Sequence, residues 1–178
     1  MTYIGITSRA LLFAVFAMAV RGKAADRDSF ASFVSSMTAM GLPAAFRNSR
    51  FAMLVVACEG STAILLAIPS TLTGAIGCVM AAGQLVAFAL AIQVSVRSGG
   101  DTSCRCFGAS SAPLGTPHVA RNLVLALCAL LGAAATLAGG ALTAGPLLVG
   151  GLAGLLAGFL VTRLDDLVAL FTPLRSSR

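Results

Sequence analysis

The sequence predicts an all-α integral membrane protein: a compact bundle of about five transmembrane helices with a short amphipathic interfacial helix. Composition is the first reason. Hydrophobic residues make up 58 % of the 178-residue chain and charged ones 10 %, against about 45–50 % and 25 % in soluble globular proteins. The mean hydropathy of +0.96 agrees. The second reason is the arrangement, since long apolar runs alternate with short segments holding the Gly, Pro and charged residues. The length suits one domain, and residues 1–178 are read as a single membrane domain.

The first run, residues 4–24, is apolar apart from Arg9, Arg21 and Lys23, and can span a hydrocarbon core of about 30 Å. It lacks a small-x-small cleavage site at its end, so a retained helix is expected rather than a signal peptide. Arg9 is expected to snorkel towards the headgroups. Over residues 28–40, Phe30, Phe33, Val34 and Met37 recur at helical spacing, with serines elsewhere. Gly41 and Pro43 end that helix. It either lies on the membrane surface or packs across the loop ends of the bundle.

Spans follow at about 51–68 and 72–95, separated by Pro69-Ser70. Arg97 to Asp101 begin a polar loop that ends near Thr116-Pro117, a plausible helix cap with proline in the first turn. The fourth span covers about 118–138 and the fifth about 144–163. In the last, Gly150, Gly154 and Gly158 recur every four residues and leave one face smooth for close helix packing.

Five spans put the segments 21–50, 97–121 and the C-terminal tail on one side. They carry every Lys and Arg except Arg9, with Arg163 counted where the last span meets the tail. The positive-inside rule places that side in the cytoplasm and the N-terminus outside, in a multi-pass protein of the cell membrane. The net charge of +6 therefore reads as topology. Without tryptophan and with one tyrosine there is no stacking platform for nucleic acid. Phosphate loops, nucleophile elbows and His-Glu-x-x-His motifs are missing too, so hydrolase and nucleotide-binding readings have no support.

The chemistry concentrates between the third and fourth spans. Cys104 and Cys106 flank Arg105, and His118, Arg121 and Asn122 share one face at the start of the fourth span. Nearby positive charge and a helix N-terminus favour the reactive thiolate, and His118 can exchange protons with a thiol. A disulfide across Cys-x-Cys closes a small ring, which favours exchange over permanence. A static clip, or two free thiols, stays open as the alternative. Two thiolates and one histidine fall short of a closed zinc site, so no metal is expected. Cys58, Cys78 and Cys128 lie inside spans and read as small hydrophobes, one of them conceivably a resolving thiol. Arg121 and Asn122 read equally as anchors of the loop. Glu59, in mid-span, should face the interior and meet a partner, with Arg9, Gln84 and Gln93 as candidates.

The run Cys104-Arg105-Cys106-Phe107-Gly108, followed by His118-Val119-Ala120-Arg121-Asn122, resembles the methylamine utilisation protein MauE family, within the wider DoxX-like group. Gly22-Lys23, Phe30, Gly41-Leu42-Pro43 and Cys58-Glu59-Gly60 extend the resemblance over roughly residues 8–140. It implies a membrane protein that helps mature or oxidise disulfide-rich exported proteins. Cys104 and Cys106 would then be redox-active, with His118 in the proton step and Arg105, Arg121, Asn122 and Glu59 in support. Their partner would be a thioredoxin-like protein or a quinone. Nothing in the residues names a methylamine-related substrate. Two other readings stand beside this thiol–disulfide oxidoreductase: a non-enzymatic membrane scaffold or assembly subunit, and a small-molecule or lipid-binding bundle organised around Glu59.

Overall fold

The computed structural model describes residues 1–39, 44–97, 116–139 and 144–163. In chain order the helices are α1 (Thr2–Ala24), α2 (Arg27–Ala39), α3 (Ser49–Ala67), α4 (Thr71–Arg97), α5 (Thr116–Leu137) and α6 (Ala144–Thr162), with a 3-10 turn at Ala44–Phe46. No strand occurs among the described residues. Five of the helices, all but α2, are long and apolar enough to cross a membrane.

Helix α1 is the centre, packing against α3, α5 and α6, while α4 packs against α3 and α5. Leu12, Val15 and Phe16 of α1 meet Leu66, Cys78, Ala81, Leu85, Leu125 and Ala129 in one buried cluster. Many of these residues are small, which lets helix backbones approach closely where apolar burial alone gives no drive between helices. The large side chains point outward instead: Leu72, Leu90, Leu127, Leu148 and Leu156 are all exposed on the bundle surface. That inside-out distribution suits a lipid solvent.

The glycines of α6 do what their spacing predicts, and they do it against α1. A methyl group added at Gly154 would lie 2.3 Å from the Thr7 carbonyl oxygen, and one at Gly158 would lie 2.6 Å from that of Leu11. Gly150, Gly154, Gly158 and Thr162 are the buried residues of α6.

Local signals set the remaining ends. Asp26 accepts a hydrogen bond from the Ser29 amide at 2.6 Å and starts α2. That amide holds the Asp26 carboxyl below the usual carboxylate range. The Asn48 side chain caps α3 by accepting from Phe51 N at 2.8 Å. On α2 the expected stripe is covered by protein: Phe33 and Met37 are buried with Ala52, and Phe30, Val34, Phe51 and Val55 close around them. The helix therefore packs its apolar stripe against the bundle, beside α1 and the start of α3.

Arg9 departs from expectation. It is 8 % exposed and turns inward, where it donates to the carbonyls of Leu66 at 3.0 Å, Ser70 at 3.2 Å and Ile68. Pro69 and the extended backbone at Ile68 end α3, leaving carbonyls that need donors. A guanidinium satisfies several at once and complements the negative end of the helix dipole. Gly74 makes the room, since a methyl group there would sit 2.5 Å from Arg9 Cζ.

Candidate functional site

Lys23 closes α1 and reads in the sequence as one of the topology-setting loop charges. In the structure it is 1 % exposed, and its ammonium donates to Glu59 Oε1 in the middle of α3. Glu59 is fully buried, as expected of an intramembrane carboxylate, but its partner is none of the three candidates. Arg9 is engaged at the C-terminal end of α3. Gln84 reaches Thr62 Oγ1 at 2.5 Å and the Cys58 carbonyl at 3.4 Å, and Gln93 lies on α4 beyond it. The reason is geometric. The chain reverses between α1 and α3, so the last turn of α1 lies beside the first half of α3, and a four-carbon stem carries the charge inward. One sequence signal was available: Lys23 is the only lysine of the chain, all other basic residues being arginine.

The ammonium of Lys23 lies 5.1 Å from the ring centroids of both Phe33 and Phe88, so two phenyl faces enclose it. Beyond those rings a cavity of about 440 Å³ opens between α2, α3 and α4. Its wall is almost wholly apolar, with Phe46, Phe51, Leu54 and Ile92 among the lining residues and Gln84 and Cys58 the polar exceptions. Two buried oxygens beside this region, Glu59 Oε2 and Gln84 Oε1, have no hydrogen-bond partner among the described residues.

A second cluster forms at the start of α5. Arg121 Nη2 approaches His118 Nδ1 at 3.3 Å, and Asn122 Nδ2 donates to the His118 carbonyl at 2.8 Å. His118, Arg121 and Asn122 thus do share one face of the first turns. Asn122 is fully buried and anchors that turn. Cys104, Arg105 and Cys106 lie outside the described residues. Cys58, Cys78 and Cys128 are free thiols, with Cys78 buried in the core. Among the described residues no group of His, Cys, Asp and Glu could hold a metal ion.

The sequence profile of the family described as methylamine utilisation protein MauE matches residues 1–135. The chain belongs to the MauE family. The matched region runs from α1 almost to the end of α5. It therefore takes in the run Cys104-Arg105-Cys106, the His118 turn and both partners of the Lys23–Glu59 pair, and leaves α6 outside. Comparison with curated proteins and with solved structures gives no match. Membership and the five apolar helices make this a multi-pass membrane accessory protein.

Proposed function

We propose that this MauE-family protein is a membrane-embedded thiol redox or maturation factor acting through Cys104 and Cys106. The observation that supports this reading is the turn the cysteine loop runs into: α5 opens with His118 beside Arg121, held by a buried Asn122. A helix N-terminus, a guanidinium and an imidazole together favour thiolate formation and proton exchange in the segment that leads into them. Arg105 adds a charge between the two thiols.

The test is equilibration of the purified protein with glutathione or dithiothreitol buffers. Cys104 and Cys106 are expected to titrate as one two-electron couple, above the roughly −300 mV of structural disulfides. Either single Cys→Ser change should abolish exchange to the same extent as both, and His118→Ala should slow it while leaving the bundle folded. Full activity in the double Cys→Ser variant would overturn the redox reading and leave the scaffold reading in its place.

The orientation proposed from charge still holds once Lys23 is removed from the count as an internal, paired residue, because the arginines alone give the same bias. It places the cysteine loop in the cytoplasm, within reach of a thioredoxin-like partner. Membrane-impermeant thiol reagents should therefore label Cys104 and Cys106 in permeabilised but not in intact spheroplasts, after mild reduction. Labelling of intact spheroplasts would reverse the orientation and make an exported disulfide-rich protein the partner.

A further inference from the structure

Two cations are buried in this bundle, and only Lys23 meets a carboxylate. Arg9 is 8 % exposed and keeps its charge at any ordinary pH, yet its hydrogen bonds go only to the carbonyls of Leu66, Ile68 and Ser70. The acidic residues of the chain are Asp26, Asp28, Glu59, Asp101, Asp165 and Asp166. Glu59 is taken by Lys23. The others follow the ends of α1, α4 and α6 in the sequence, the ends far from Arg9. Carbonyl dipoles offset part of a buried charge, and the remainder calls for an anion. Arg9 has donors left for one. A guanidinium carries five N–H groups, and Nε and one hydrogen of Nη1 have no acceptor among the described residues.

Arg9 also stands in the wall of a groove of about 290 Å³ between α1, α3 and α6. It is the one lining residue with a polar side chain. Leu147 and Leu155 form the α6 edge and are exposed on the bundle surface, so the groove opens towards lipid. The carbonyls that Arg9 meets flank Pro69, where α3 ends and the chain turns into α4. The guanidinium therefore lies at the depth of a membrane surface. Phe13, one turn further along α1, carries the apolar wall about 6 Å deeper. A cation at the interface above an apolar channel matches an amphiphilic anion. We propose that this groove binds one anionic phospholipid, its phosphate on Arg9 and the upper part of an acyl chain against Phe13 and Leu155. The rest of the lipid stays in the bilayer, so the small volume suffices. The phosphate supplies the missing counter-charge through charge-assisted hydrogen bonds, and ties the α3–α4 link to α1 and α6.

The test places the full-length protein in phosphatidylcholine nanodiscs with a small fraction of phosphatidylglycerol bearing a diazirine on one acyl chain. Cross-linked peptides are identified by mass spectrometry. Saturable labelling is expected on the peptides that hold Phe13 and Leu155, displaced by dioleoylphosphatidylglycerol and not by the same fraction of oleate. Because Arg9 also holds the end of α3, the groove is blocked from Ala67, an exposed lining residue whose side chain bonds nothing. Ala67→Phe should weaken the labelling by about tenfold or more. Leu127→Phe, on the exposed surface of α5, should leave it unchanged. Labelling spread evenly over all five spans, equal labelling by a phosphatidylcholine probe with the same chain, or no effect of Ala67→Phe would overturn the proposal. Displacement by oleate would overturn it too, making the groove a fatty-acid site.

Discussion

Lys23→Met is expected to destabilise the folded bundle by about 3–5 kcal/mol, because it leaves a fully buried carboxylate without its counter-charge. Glu59→Met should cost a similar amount, for the mirror reason that an ammonium then lies between two phenyl rings with no anion to meet. The double variant should recover most of the loss and equal or exceed the wild type, since well-packed apolar groups replace a desolvated pair at no electrostatic cost. Unfolding of the three variants by SDS or heat in one detergent gives the cycle. A pair this buried is also weakly screened, so added salt should leave the coupling nearly unchanged. Singles whose effects simply add would show that Lys23 and Glu59 are not coupled.

The second large effect is expected at the α1–α6 contact. Gly154→Leu puts a side chain where even a methyl group would lie 2.3 Å from the Thr7 carbonyl oxygen and 2.9 Å from the Leu11 amide nitrogen. Both are backbone atoms and cannot rotate aside, so α6 must move away from α1. The cost should reach or exceed the roughly 1–3 kcal/mol of ordinary overpacking, with α6 becoming more open to protease. Gly151→Leu is the control on the same helix. Nothing lies within 4 Å of its added methyl group, and its effect should stay within about 0.5 kcal/mol. Equal sensitivity at the two positions would mean that the glycine face does not hold α6 in place.

These two sites divide what can be read along the chain from what cannot. Glycine spacing is a local property, and the four-residue repeat at Gly150, Gly154 and Gly158 announces a contact face without any knowledge of the partner. Five apolar runs announce five helices in the same way, because hydrogen bonding inside a bilayer leaves the backbone few other choices. The burial of Glu59 follows from the cost of a carboxylate in lipid. Membership in the MauE family is legible along the chain as well, in the Cys-x-Cys-Phe-Gly run and the residues around it.

The partners were decided only by tertiary structure. Lys23 reads as a loop charge because it follows Arg21 at a helix end, yet the reversal of the chain lays that end beside the first half of α3 and turns a topology signal into half of an ion pair. Arg9 reads as a residue bound for the headgroups. The broken end of α3 and the Pro69-Ser70 link after it offered it three carbonyls instead, and Gly74, far along the chain, left the space. The cavity has no trace in the sequence, because Phe33, Phe51 and Phe88 sit on three helices that each look ordinarily apolar. Periodicity records which residues share a face of one helix. Which faces meet is set by helix packing over tens of residues, and in this protein that packing creates the buried charge pair and the aromatic cavity beside it.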